Sequence, residues 1–148
     1  AMSISRESLL AVLILVSLSS VVLAHTGATG IVKERMDKFT RSKEHLKSMR
    51  SHIKKRKYNA IIPLAEEIRD WAEEMPNYFP SGSGGSPSEA SSEIWKDFKG
   101  FEKSAREHKI AANRLILAAK DGNPDAVVKT FKSMVATCKS CHKSYRLD

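Results

Sequence analysis

Two cysteines and a histidine near the end of the chain are the residues best suited to chemistry. They lie in the run Cys138-Lys139-Ser140-Cys141-His142, the C-x-x-C-H pattern through which haem c is attached. On a helix, residues three apart point from nearly one face, so both sulfurs can reach one haem edge. The next residue is turned by about 100°, which brings its imidazole towards the iron. The motif predicts one covalent haem c per chain, with thioether links from Cys138 and Cys141 and with His142 as an axial iron ligand.

Other sites use similar spacings. A redox-active C-x-x-C is expected beside a βαβ pattern, and no strand pattern appears in this sequence. A zinc site would need a fourth ligand, and the candidates, His45, His52 and His108, are distant in the sequence. Exported cysteines could also form a disulfide. Haem attachment is preferred because the complete motif occurs together with an export signal and a helical pattern.

The N-terminal 24 residues have the pattern of a secretory signal. A short polar start containing Arg6 precedes an apolar run from Leu9 to Ala24, with small residues before a cleavage point after Ala24. An uncleaved membrane anchor is the alternative, but the run contains serines and is shorter than the roughly 20 apolar residues that a spanning helix needs. We expect residues 1–24 to be removed in the periplasm, leaving residues 25–148 as one domain without stable membrane insertion.

The chain carries a formal net charge of +8 at pH 7, and its mean hydropathy is negative. Such a charge could steer the protein towards acidic partners or a membrane surface. Nucleic acid is not expected as a partner of an exported chain. The simplest interpretation is that basic runs such as Lys54-Lys55-Arg56-Lys57 are solvated helix faces.

Apolar residues recur every third or fourth position in the first half of the chain, which predicts two amphipathic helices. The first begins near Ile31 and ends in the basic cluster before Tyr58. The second runs from about 59 to 74, with Pro63 in its first turns, where a missing N–H is tolerated. The Pro-, Gly- and Ser-rich run at 80–87 predicts a flexible surface loop.

The second half predicts two more helices. One apolar stripe continues from Ile94 to Ala119, and Asp121-Gly122 ends that helix. Asn123-Pro124 then begins the last helix, as a cap followed by a proline. Four helices with mostly short connections predict an all-α, antiparallel up-and-down four-helix bundle, with haem bound near the C-terminus of the last helix.

These features resemble the class II c-type cytochromes, the cytochrome c prime family, over nearly all of the expected mature chain. The resemblance depends on the haem motif with its continuation Lys143-Ser144-Tyr145-Arg146, and on Ala90-Ser91-Ser92-Glu93-Ile94-Trp95, Phe101, Ala118-Ala119-Lys120-Asp121-Gly122 and Tyr58-Asn59-Ala60. It implies a redox-active haem protein that is not an enzyme, with redox proteins as partners. It also implies that Trp95 and Arg146 lie beside the cofactor, and it allows a homodimer through the first two helices.

Members of this family fall into two groups that differ in the residue four positions after an arginine of the first helix. Low-spin members have an iron-ligating methionine there, whereas high-spin members have an apolar residue and bind NO and CO in preference to O₂. Arg35 is followed four residues later by Phe39, which has no lone pair for iron. This implies a five-coordinate, apolar-capped iron that binds NO and CO.

Met36 is the alternative sixth ligand, because a flexible thioether could bridge part of the roughly 4.5 Å rise between it and Phe39. Ligation by Met36 would make the protein a low-spin electron carrier.

Arg35 is expected to lie over the haem edge, where it would pair with a propionate or a bound ligand, or else to be a solvated charge. His108, on an apolar stripe, is expected to be a packed histidine. An enzyme that reduces NO or peroxide ranks last, since the sequence offers no distal acid–base pair.

Overall fold

A computed structural model describes residues 27–148, so the expected signal segment 1–24 and its cleavage point lie outside the described residues. Five α-helices occur in this part of the chain: α1 (Gly30–Lys54), α2 (Ile62–Glu74), α3 (Glu93–Lys96), α4 (Phe98–Asp121) and α5 (Pro124–Tyr145). One-turn 3₁₀ helices at Tyr58–Ala60 and Met75–Tyr78 flank α2. Residues 27–148 contain no β-strand, which confirms the predicted all-α class. None of the described helices is long and apolar enough to cross a membrane.

The junction between α4 and α5 forms as the sequence predicts. Gly122 ends α4 in the left-handed conformation, with φ at 67°, and its N–H donates to the carbonyls of Ala118 and Ala119. Asn123 then caps α5, because its side-chain oxygen accepts a hydrogen bond from the N–H of Ala126 at 3.0 Å. Glycine adopts this φ without the penalty that a Cβ would bring. The tight turn therefore places α5 directly against α4.

The prediction of one continuous third helix is wrong in one respect, because the helix is interrupted at Asp97 and forms two helices, α3 and α4. Asp97 leaves the helical conformation, with φ at −129° and ψ at 59°, and its side chain accepts a hydrogen bond from the N–H of Gly100 at 3.1 Å. The hydroxyl of Tyr145, at the end of α5, also donates to Asp97 at 3.1 Å. The apolar stripe runs through the break without interruption, so periodicity alone did not reveal it. A cap of this kind contributes about 1 kcal/mol.

The buried side chains form two clusters. The aliphatic cluster joins α1, α2, α4 and α5 and includes Met49, Ile61, Ile68, Leu115, Val127 and Met134. The aromatic cluster lies around Trp71, Phe79, Ile94 and Phe101, with Phe39 and Tyr145 packed against it. Burial of each large apolar side chain contributes about 1.5–3 kcal/mol, so these clusters hold the helices together. The cavity described below borders the aromatic cluster.

Candidate functional site

A cavity of about 390 Å³ lies between α1, α4 and α5 beside the aromatic cluster. Its volume is within the range of about 300–1,000 Å³ that small-molecule and cofactor sites occupy. The wall is mainly apolar and includes Phe39, Leu46, Trp71, Met75, Phe101 and Ala105. Cys138, Cys141 and His142 of the C-x-x-C-H motif line the same cavity, so the fold brings the two thiols and the imidazole to one partly open, largely apolar space.

Cys138 and Cys141 lie one turn apart on α5, half-buried in the cavity wall, and they are not joined in a disulfide. Burial raises the pKa of both thiols, and that of Cys141 reaches about 11 through burial and the proximity of Cys138. Both side chains are therefore protonated thiols near neutral pH, unlike the thiolate of a redox-active C-x-x-C. The disulfide alternative is not formed in this structure.

His142 follows the second cysteine and lines the cavity from its solvent-exposed edge. Burial, followed by the nearby charge of Arg146, lowers the pKa of His142, while Glu89 acts in the opposite direction. Arg146 also lines the cavity and donates from Nε to Glu89 at 2.7 Å. The imidazole is consequently neutral at pH 7, the form that offers a lone pair to a metal.

On α1, Phe39 and Met36 both line the cavity, but in different surroundings. The Phe39 ring packs edge-on against Trp71, with centroids 5.3 Å apart, and against Phe79 at 6.5 Å. Met36 is half-buried and belongs to neither buried cluster. The phenyl ring is therefore held in place by two aromatic neighbours.

Arg35 is 2 % exposed, so the expectation that it is a solvated charge is wrong. Its guanidinium donates to the carbonyl of Tyr78 at 3.0 Å, to Ser83 Oγ at 2.7 Å and carbonyl at 2.5 Å, and to Ser88 Oγ at 2.8 Å. It also lies 4.3 Å from the ring centroid of Phe79. Every one of these partners is uncharged. Arg35 thus fastens the connection between α2 and α3 to α1 and lines the cavity at the same time.

Trp95 is not among the residues that line the cavity, and the expectation that it lies beside the cofactor stays a prediction. Its indole N–H donates to the carbonyls of Phe79 at 3.0 Å and Pro80 at 3.1 Å. Gly84 lies so close that a Cβ there would be 3.0 Å from the Trp95 ring. Because these contacts hold the ring against the connection, Trp95 supports the wall from behind through Phe79.

His108 is a buried histidine on α4, as expected, and it lines the cavity. Thr137 donates its hydroxyl proton to the carbonyl of Met134 at 2.6 Å, so it accepts from Nδ1 of His108 at 2.7 Å. Burial is the main cause that lowers the pKa of His108 to about 4. Although Cys138 Sγ is 4.0 Å from the ring, residues 27–148 contain no group of three His, Cys, Asp or Glu that could hold a metal ion. The described part of the chain therefore does not support a zinc site.

Sequence reasoning missed the residues that fasten the α2–α3 connection to the end of α5. The N–H of Ser91 donates to the carbonyl of Tyr145 at 3.0 Å, and that of Leu147 donates to the carbonyl of Glu89 at 2.8 Å. An isolated antiparallel bridge pairs Ala90 with Arg146 between them. The run 80–87, predicted as a flexible surface loop, is irregular in the structure, and the chain that follows it is held to the end of α5. No local signal in the sequence marks contacts between positions so far apart.

The residues present fit haem c. Two unpaired thiols and a neutral imidazole line an apolar cavity, which is the donor set that covalent haem needs. A buried guanidinium without a carboxylate partner lines the same cavity and suits a haem propionate. The fold and the site define a haem-binding four-helix bundle of the c type.

The comparisons with known proteins agree with this class. The family model described as "Cytochrome C'" matches residues 30–146, and the chain therefore belongs to the cytochrome c′ family, whose cofactor is covalently bound haem c.

Individual relatives agree with this assignment. The cytochrome c′ of Rhodospirillum rubrum is 34% identical over 91 residues, which cover 61% of this chain and 62% of that protein, less than two thirds of its length. The cytochrome c′ of Pararhodospirillum photometricum is 28% identical over 123 residues, covering 78% of this chain and 94% of that protein.

A solved variant of the Alcaligenes xylosoxidans cytochrome c prime in complex with nitric oxide superimposes with a TM-score of 0.71 at 26% identity. The alignment covers 80% of this chain and 94% of that one. Another variant of the same protein has been solved with carbon monoxide bound. The four-helix-bundle prediction is thereby confirmed.

Proposed function

We propose that this chain is an exported, periplasmic haem c protein whose iron is five-coordinate, binds NO or CO under an apolar cap, and is redox-active. Cys138 and Cys141 would hold the haem through thioether bonds, and His142 would ligate the iron from the α5 side. When bound, the haem supplies an iron that takes a diatomic ligand or exchanges one electron. Which of these predominates would depend on whether a second residue of the cavity wall, such as Met36, ligates the iron in addition to His142.

The observation that carries the proposal is the fixed position of Phe39 in the wall. Its ring is held by Trp71 and Phe79, and phenylalanine has no atom that can ligate iron. Its ring also offers no conventional hydrogen-bond donor to a bound ligand. Bound O₂ carries partial negative charge and needs such a donor far more than NO or CO does, so an apolar cap favours NO and CO. The gas complexes of the A. xylosoxidans protein support gas binding here.

Arg35 would contribute through charge rather than through ligation. The guanidinium is buried, and all its hydrogen-bond acceptors are neutral. A propionate at this part of the wall would compensate its charge, as the sequence led us to expect. Arg146, which already pairs with Glu89, would stay near His142 and keep the imidazole neutral.

A low-spin electron carrier ligated by Met36 is the second candidate, because the Met36 side chain also lines the cavity. Met36 and Phe39 lie three residues apart on α1 and cannot occupy one position, so ligation by Met36 would require the haem or the helix to shift. The five-coordinate site requires no such shift, and for this reason we prefer it.

Absorption spectra of the purified ferric and ferrous holoprotein test the proposal. Broad high-spin bands that sharpen when CO is added are expected. A methionine–iron charge-transfer band with resolved low-spin bands would refute the open site and favour Met36. Phe39→Met should shift the spectrum towards low spin, whereas Met36→Leu should leave it unchanged. A stable O₂ adduct of the ferrous protein would contradict the proposed gas preference.

Export and assembly need separate measurements. The mass of the mature chain from a host with a periplasm would show whether cleavage follows Ala24 and whether a haem is attached. The homodimer allowed by the family resemblance stays a prediction, and sedimentation of the holoprotein with and without CO would check it.

A further inference from the structure

A second cavity lies between α1 and α2. We call it the outer cavity, and its lining is mainly charged, with Asp37, Lys38, Arg41, His45, Glu67 and Glu74 among its residues. Three residues line both the outer cavity and the apolar cavity described above: Thr40, Ser42 and Trp71. We call these three residues the partition. Because the same side chains border both spaces, a single layer of side chains separates the two cavities here.

Trp71 supplies most of the bulk of the partition, since the other two side chains are short. The indole is only 5 % exposed. It packs edge-on against Phe39, with ring centroids 5.3 Å apart, and against Tyr78 at 5.1 Å. Phe39 is the residue proposed above as the cap of the gas site. The partition therefore adjoins the place where a gas ligand is proposed to bind.

The indole of Trp71 is packed, but no hydrogen bond fastens it. Its Nε1 is buried and has no hydrogen-bond partner among residues 27–148, whereas the indole N–H of Trp95 donates to two carbonyls. A buried donor without a partner is unfavourable, and rotation of the ring towards the outer cavity would let water accept from it. Such a rotation therefore breaks no hydrogen bond and gains one.

Only an exposed ion pair covers the indole from the side of the outer cavity. The ammonium of Lys38 lies 5.2 Å from the ring centroid of Trp71 and pairs with Glu74 at 3.3 Å. Exposed pairs of this kind contribute little to stability, because water screens them and two long side chains must be ordered. The pair therefore leaves the indole free to move at small cost.

We propose that Trp71 is a gate through which gas ligands pass between the outer cavity and the apolar cavity, and that it limits the size of the ligand that enters. The proposal rests on the proposed function, in which Phe39 caps an open iron. A diatomic molecule needs only a small displacement of the indole, whereas a longer ligand needs one that also disturbs the contacts with Phe39 and Tyr78. A gate alters a barrier and not the states on either side of it. It therefore changes the association and dissociation rates by the same factor and leaves the affinity unchanged.

Flash photolysis of the CO adduct of the ferrous holoprotein measures association, and replacement of bound CO by NO measures dissociation. Trp71→Leu should raise both rates about tenfold, which corresponds to about 1.4 kcal/mol of barrier. The increase in association should be larger for n-butyl isocyanide than for CO. Thr40→Phe should fill the passage and lower both rates about fivefold. Because Thr40 is exposed, this second variant decides the question even if Trp71→Leu does not fold.

Two matched controls line neither cavity. Ile68→Val shortens a buried side chain one turn before Trp71 on α2, and Ser51→Phe adds a ring at an exposed position of α1. Each should change the CO rates by less than about twofold. Equal changes in the controls and the partition variants would overturn the gate.

Unchanged rates in both partition variants would also overturn the proposal. So would a change in only one of the two rate constants, because Trp71 would then act on the bound ligand and not on its passage. Crystals of the holoprotein under xenon pressure give a readout that does not depend on the iron. Xenon should lie at the partition in Trp71→Leu and be absent there in Thr40→Phe, and the reverse pattern or no xenon in either would refute the passage. A holoprotein that does not bind CO would refute the proposed five-coordinate site, while the xenon positions would still decide whether the passage exists.

Discussion

Replacement of Arg35 by methionine should destabilise the protein mainly by releasing the connection between α2 and α3. The side chain is buried and forms four hydrogen bonds, to the carbonyl of Tyr78, to two atoms of Ser83 and to Ser88 Oγ. Methionine has a similar length and can keep the packing against Phe79, but it donates no hydrogen bond. The substitution therefore removes the fastening while largely filling the space.

The size of the effect follows from two opposing contributions. Hydrogen bonds to a charged group contribute roughly 1.5–3 kcal/mol each, so the four together contribute at least about 6 kcal/mol. Burial of a guanidinium without a carboxylate partner costs several kcal/mol, and methionine avoids that cost. Burial also lowers the pKa of Arg35, in agreement with this cost. The difference leaves an expected loss of about 3 kcal/mol in the free energy of unfolding.

Urea unfolding of the holoprotein measures this loss. With a slope of about 2 kcal/mol per molar urea, a loss of 3 kcal/mol moves the midpoint down by roughly 1.5 M. Arg41→Met on the same helix is the control, because Arg41 is exposed and pairs only with Glu67, and its midpoint should change little. Limited proteolysis should cut the Arg35→Met variant first around Gly82 to Gly85. Equal midpoints for the Arg35 variant and the wild type would refute the fastening role.

Three further predictions concern other parts of the bundle. Gly100→Ala should cost about 2 kcal/mol in urea unfolding, because the new Cβ would collide with Asp97 and the Tyr145 hydroxyl and disrupt the α4 cap; an unchanged midpoint would contradict this. Gly122→Ala should cost about 1 kcal/mol by the same assay, purely through its positive φ, since nothing lies within 4 Å of the new Cβ. The pKa of His108 falls from 6.5 to about 4 on folding, mainly because the ring is buried. The unfolded chain therefore binds the proton more readily than the folded one. The free energy of unfolding should consequently fall by about 3 kcal/mol as the pH drops from about 6.5 to 4. His108→Gln should lose that part of the pH dependence, and an unaltered pH profile would exclude it.

The local features of the fold were predictable from the sequence because they depend on neighbouring residues. The left-handed Gly122 and the cap at Asn123 are such cases, since each acts within one turn of its own position. The thiols and the imidazole of the motif are also fixed by local helical spacing, which explains why all three line one cavity. Helix periodicity and capping chemistry together were sufficient for the class of fold.

The remaining features depend on contacts between distant positions. The break at Asp97 is stabilised in part by Tyr145, which is 48 residues away. Arg35 and Trp95 look like cofactor contacts in the sequence, but their hydrogen bonds go to the connection, whose path no local pattern specifies.

The two buried clusters divide structural roles between them. The aliphatic cluster secures the helices without contributing most of the cavity wall, and the aromatic cluster forms that wall. A change of side-chain size at Phe39 therefore alters the room for a diatomic molecule while the packing around Met49 and Leu115 is left intact. Substitutions in the cavity wall can therefore be made without disturbing most of the packing that holds the helices together, because the two sets of residues are spatially separate.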